Sequence, residues 1–181
     1  LLFIVLQTTA LASQTDNKPL NTKVYKLAQT AYYCAKQSGI PLKKNLIMVV
    51  DFSLPSTEKR LWLIDTKNNT YILHTHVAHG MNSGNIYATE FSDNEGTHES
   101  SLGSFVTNNK YNGHHGPSLR IIGLDKGIND LAAQRNIIVH SAEYVTPEFQ
   151  KKYTRIGRSD GCFAVNPDVI NHLIEKTQKN T

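Results

Sequence analysis

The sequence predicts an α+β fold: a sheet-rich domain whose mixed β-sheets, stacked as a sandwich, carry helices at the periphery. Three observations lead there. Short apolar runs of strand length recur at residues 46–52, 61–64, 71–77, 118–122 and 137–139. Helix signatures are few, and the clearest ones carry their own caps and stops. No internal repeat or low-complexity tract interrupts the 181 residues, of which 39% are hydrophobic and 19% charged, so a single core is expected.

Residues 1–6 are apolar, and Ala10-Leu11-Ala12 offers the small-x-small pattern that a signal peptidase cuts after. Residues 1–12 are therefore expected to be a signal peptide whose basic start is missing, too short to span a bilayer. Export to a periplasm or a cell wall is the consequence, with no stable membrane insertion of the mature chain. The competing reading, a buried first strand, is disfavoured by the polar run at residues 13–18. Residues 13–45 then form a linker and a helix, which Asn21 or Thr22 caps and which Gly39 and Pro41 stop near Ser38.

Residues 46–181 form the main domain. Its first two strand-like runs are joined by Pro55-Ser56-Thr57-Glu58-Lys59, a polar connection that fits a hairpin, and residues 71–77 continue the sheet. From Gly80 to Gly116 the chain is rich in Gly, Ser, Asn and His. Only residues 104–107 read as strand there, so long loops should dominate. Residues 118–122 form a further strand, 130–135 a short helix, and 137–139 a buried strand that delivers His140 at its end. Thr146-Pro147-Glu148 and Asn166-Pro167-Asp168 each open a helix, the second with Val169, Ile170, Leu173 and Ile174 on its apolar side. Between them runs the polar loop 155–162.

Lys and Arg outnumber Asp and Glu by 19 to 15, but the basic residues are scattered, and Lys43-Lys44 and Lys151-Lys152 are isolated pairs without stacking aromatics. Nucleic acid is set aside as a partner. The two cysteines would first be read as one disulfide in an oxidising compartment. Their contexts differ. Cys34 falls on a helical stripe with Val24, Leu27, Ala28, Ala31 and Ala35 and should be a small buried residue, whereas Cys162 follows a glycine in a polar loop. Two free thiols are the expectation. His74, His76 and His79 lie close together, yet no Cys or carboxylate at ligand spacing accompanies them, so no metal is expected. His114-His115 reads as a solvated turn.

Gly157-Arg158-Ser159-Asp160-Gly161-Cys162-Phe163-Ala164-Val165 places a thiol between a polar turn and a short strand. Such a thiol needs a base and N–H groups for an oxyanion, and a turn through Gly161 lets amides converge. His140 can be the base, held by a rigid strand, with the carbonyl of Ser141 available to fix its tautomer.

Ile138-Val139-His140-Ser141-Ala142, followed by Gly157-Arg158-Ser159-x-Gly161-Cys162, resembles the motif of the L,D-transpeptidase catalytic domain, the YkuD-like family. The stretch 51–60, Val77-Ala78-His79-Gly80, Ser100-Ser101-Leu102-Gly103 and Gly123-Leu124 are similar to its murein branch, so the likeness runs from about residue 46 to 165. The resemblance implies an acyltransferase acting on peptidoglycan stem peptides without metal or organic cofactor. Cys162 would be the nucleophile and His140 the base. Ser141 would orient His140, and the amides of Gly161 and Cys162 would form the oxyanion hole. Arg158, Ser159, His79 and Tyr144 would face substrate. Asp160 and Phe163 depart from the family's usual residues. A carboxylate two residues from the thiol opposes thiolate formation if the side chains approach, so Asp160 is expected to point away. A wall-binding protein without turnover and an L,D-carboxypeptidase that uses water are the alternatives. The sequence carries no signal of oligomeric state.

Overall fold

The structure is a computed structural model and describes residues 18–179. The expected signal peptide at 1–12 lies outside the described residues.

Two sheets share one core. Leu46–Val50 (β1), Leu61–Asp65 (β2) and Thr70–Thr75 (β3) form an antiparallel sheet in the order β1-β2-β3. Val77–Ala78 (β4), Phe105–Gly113 (β5), Gly116–Gly123 (β6), Ile138–Ser141 (β7) and Phe163–Val165 (β8) form a second sheet in the order β4-β8-β7-β6-β5. It is mixed: β7 and β8 run parallel and the other pairs antiparallel. Phe52 and Leu61 from the first sheet region meet Val77, Leu119, Ile121, Val139, Phe163 and Val165 from the second, with Ile170, Leu173 and Ile174 of the helix Pro167–Thr177 (α3) completing that core. Phe52 stacks on Phe163 at 6.0 Å between ring centroids.

The other face of the first sheet is covered by the helix Thr22–Gln37 (α1). Asn21 caps it by accepting the Lys23 N–H. Val24, Tyr25, Ala28 and Tyr32 rest on Ile47, Val49, Trp62 and Ile64. Alternation in β1 follows from these two coverings, and β2 is buried on both faces from Leu61 through Ile64. The helix Pro147–Tyr153 (α2) is capped by Thr146, whose side chain accepts the Phe149 N–H. It follows a 3₁₀ turn at Glu143–Val145.

The structure corrects four expectations. Cys34 is exposed, and so is Leu27, at 71%. Val24 and Ala28 of the expected stripe do face the sheet, joined by Tyr25 and Tyr32, which half-bury their rings while their hydroxyls donate to Asn69 Oδ1 and the Lys44 carbonyl. The run 71–77 is divided between the two sheets, with His76 at the crossing. β5 continues to Gly113, well past the expected 104–107, because pairing with β6 outweighs the poor strand propensity of Asn108 and Asn109, which sit at a register shift. Residues 130–135 form hydrogen-bonded turns where a helix was expected. Side chains intercept the backbone there: Asp93 Oδ2 accepts the Leu131 N–H, and Asn129 Oδ1 the Asp125 N–H.

Candidate active site

Strand register brings the predicted nucleophile and base to one face. Val139 pairs with Phe163 and His140 with Ala164 across the parallel β7–β8 ladder. Val139 and Phe163 point into the core, so alternation turns His140, Ala164 and the preceding Cys162 to the opposite face. Ala78, Val145, Ile156 and Ala164 form a small apolar cluster on that face, with Ala142 and Tyr144 against it.

His140 is 2% exposed, and its Nδ1 lies 2.8 Å from the Ser141 carbonyl. A carbonyl only accepts, so Nδ1 carries the hydrogen and Nε2 is the basic nitrogen. Burial lowers the pKa of this imidazole, partly countered by the Ser141 carbonyl, and His115 lowers it further. The Cys162 thiol donates to the Asn136 carbonyl at 3.7 Å. Burial, the largest influence, raises its pKa and Asp160 adds to the rise, while the Ile138 N–H and Arg135 pull it down. Resting thiol and resting imidazole are both neutral.

The turn before Cys162 is wired from three directions. The Ser159 amide donates to the His79 carbonyl at 2.9 Å and the Met81 amide to the Ser159 carbonyl at 2.7 Å. Inside the turn the Ser159 hydroxyl donates to the Cys162 carbonyl at 2.7 Å and accepts the Gly161 amide at 3.2 Å. Gly161 has φ +113, a region that favours glycine, and a Cβ there would stand 2.8 Å from the Glu99 carbonyl. From the third side the Ser100 hydroxyl donates to the Gly161 carbonyl at 3.1 Å and accepts the Gly80 amide at 3.0 Å.

Not every predicted site residue has the surroundings expected of it. The Gly161 amide, expected to face an oxyanion, donates to the Ser159 hydroxyl within the turn. His79 is fully buried, its Nδ1 2.6 Å from Arg60 and its Nε2 3.3 Å from the Gly84 carbonyl, and it supports the loop that follows β4 instead of facing substrate. Arg158 donates to the carbonyls of Met81 and Gly84 at 3.1 and 2.9 Å, and Ser159 is buried within the turn. Tyr144 does lie beside the thiol. Burial raises its pKa, and the neighbouring Cys162 and Asp160 raise it further. The Asp160 carboxylate, 69% exposed, is bound to His98 Nδ1 at 3.1 Å. His74 and His76 are hydrogen-bonded to the carbonyls of Lys59 and Thr57, and no group of metal-ligating side chains forms among the described residues. Cys34 and Cys162 are both free.

Sequence reasoning missed several supports. The Arg135 side chain is buried and donates to the carbonyls of Ser92 and Glu99 and to the hydroxyls of Ser101 and Thr97, tying the loop 92–101 against the turn before Cys162. Asn136 contributes only a carbonyl, which no side-chain pattern announces. His115 stacks on His140 with ring centroids 4.2 Å apart, although its neighbourhood reads as a solvated turn.

No helix among the described residues is long and apolar enough to cross a membrane. Searches of curated proteins and of solved structures give no match. The family profile described as the L,D-transpeptidase catalytic domain matches residues 16–181, nearly the whole sequence. With that coverage, and with a sheet-rich α+β fold, the chain belongs to the L,D-transpeptidase catalytic-domain family.

Proposed function

We propose that this domain is a peptidoglycan L,D-transpeptidase that uses Cys162 as nucleophile and His140 as general base. The observation that carries the reading is the parallel pairing of β7 with β8, which sets an imidazole of fixed tautomer on β7 and a half-buried thiol in the turn that leads directly into β8. Because both groups rest neutral, the proton moves when the donor stem binds rather than beforehand. His140 Nε2 takes the thiol proton as sulfur attacks the carbonyl that joins an L-centre to the terminal D-alanine. The tetrahedral oxyanion is met by the Cys162 amide. The imidazolium returns the proton to the departing D-alanine amine, leaving a thioester. An acceptor amine then attacks the thioester, His140 removes the amine's proton, and the regained thiol closes the cycle.

Ser141 orients His140 in this scheme, and Tyr144 borders the pocket that receives the stem. Arg158 and Ser159 act through the loop and turn they hold. Residues 1–12 are read as an export signal, which would bring the domain to the wall it modifies.

The test is release of D-alanine from a tetrapeptide stem, with the intact protein followed by mass. Wild type should release D-alanine and carry a transient acyl adduct on Cys162, and Cys162→Ala should do neither. Unchanged release by Cys162→Ala would overturn the mechanism. Binding without adduct would identify a wall-binding protein, and a hydrolysed stem without a cross-linked product would identify a carboxypeptidase.

A further inference from the structure

The β5–β6 hairpin closes through His114 and His115, between the paired Gly113 and Gly116. Gly116 has φ +71, which lets the chain turn back at once into β6. Two residues later Ser118 pairs with His140 across the β6–β7 ladder, so the hairpin tip overhangs the predicted base. The His115 ring lies nearly parallel to that of His140, at 22° and 4.2 Å, while His114 meets His115 edge-on at 5.2 Å. The backbone closes a circuit: His140 Nδ1 donates to the Ser141 carbonyl, and the Ser141 hydroxyl reaches the His115 carbonyl at 3.5 Å.

We propose that His115 is a positioning residue, which clamps the imidazole of His140 from the hairpin tip and keeps it dry and neutral for proton abstraction. The inference rests on the reading of His140 as base. A ring free to rotate about its χ2 would present Nε2 in many directions, and one stacked face removes most of them. The stack also accounts for a base that is 2% exposed beneath a hairpin residue that is itself exposed. The groups around His140 are few. Its register partners Ser118 and Ala164 carry no charge. The titratable group that acts on it is His115, with His114 behind, while the Cys162 thiol, just before β8, has Asp160, Arg135 and Tyr144 around it. A cation on His115 opposes an imidazolium at His140, in the same direction as burial. Sequence spacing gave no hint, since 25 positions separate the two histidines and only the hairpin closes the gap.

Three proteins decide the matter: wild type, His115→Ala and His115→Phe. In the first readout, D-alanine release is followed against pH. His115→Ala should lose about tenfold in kcat/KM, the order expected for one lost aromatic stack, with its acid limb moved to higher pH. His115→Phe keeps the covering ring without its charge and should recover most of the loss at pH 8. In the second readout, the ring protons of His140 are titrated by NMR in a Cys162→Ala background, which needs no turnover. Its midpoint should rise in His115→Ala and rise less in His115→Phe. An Ala variant with an unmoved midpoint and an unmoved acid limb overturns the proposal, as does a Phe variant that shifts both as far as Ala. If wild type releases no D-alanine, the proposed function fails while the NMR titration still judges the stack. The hairpin tip is exposed, so these substitutions leave the core intact.

Discussion

At Cys162 the local field is a contest between nearby groups. The Ile138 N–H and Arg135 favour the thiolate, while burial and Asp160 oppose it. Asp160 is the group that can be removed without touching the fold, because it is exposed and its hydrogen-bond partner His98 is exposed as well. Asp160→Asn should therefore lower the thiol pKa and speed iodoacetamide alkylation of Cys162 at pH 7 by about two- to fivefold, the range for one solvent-screened charge. An equal or slower rate would show that the carboxylate does not act on the sulfur. Thiol and imidazole were legible in the sequence because each sits beside a distinctive neighbour, Gly161 before the one and an apolar strand before the other. The His98–Asp160 and His115–His140 contacts were not, since the partners come from segments far apart in the chain whose meeting only the packed sheets decide.

Among the elements, the turn before Cys162 and α1 mark the two extremes of tolerance. Gly161 combines a left-handed φ with a Glu99 carbonyl 2.8 Å from where a Cβ would stand. Gly161→Ala should cost on the order of 1–3 kcal/mol of stability and displace the turn from Ser100, lowering acylation more than it lowers Tm. Comparing the two losses in one preparation checks this, and a variant that acylates normally would count against it. α1 buries no residue fully. Leu27→Lys should change stability by less than about 0.5 kcal/mol in urea unfolding, as for other exposed positions. The caps of α1 and α3 were readable from Asn21 and Asn166, and so was the end of α1 at Gly39. The inward side of α1 was legible only in part: Val24 and Ala28 do face the sheet, but apolar periodicity ranked Leu27 and Cys34 above tyrosines that half-bury a ring and keep a hydroxyl at the surface.

Across the whole molecule, one buried cation pins the two sheets together. Arg60, just before β2, donates through Nε and one Nη to the carbonyl of Val77, which opens β4, and through the other Nη to the Leu54 carbonyl. It also donates to His79 Nδ1 at 2.6 Å. Burial lowers its pKa to about 10, so it stays charged at any physiological pH. A guanidinium has only hydrogens to give, so His79 must accept at Nδ1 and be neutral, with its Nε2 hydrogen directed to the Gly84 carbonyl. Its pKa is accordingly lowered to about 4 from 6.5, by burial first and Arg60 second. The folded pKa lies below the unfolded one, so between those values the unfolded chain binds more protons. The contribution is complete above about pH 6.5 and is lost as the pH falls toward 4. One such proton makes unfolding easier by up to about 1.4 kcal/mol per pH unit in that window. Burial depresses His76 and His140 in the same direction, so wild type should lose stability steeply on mild acidification. His79→Gln can accept from Arg60 and donate to Gly84 without titrating. Urea unfolding at pH 7.0, 5.5 and 4.5 should therefore show a shallower decline for the variant, even if it starts lower. Parallel declines would mean that the imidazole beside Arg60 is not held neutral, and that the junction between the sheets relaxes when it gains a proton.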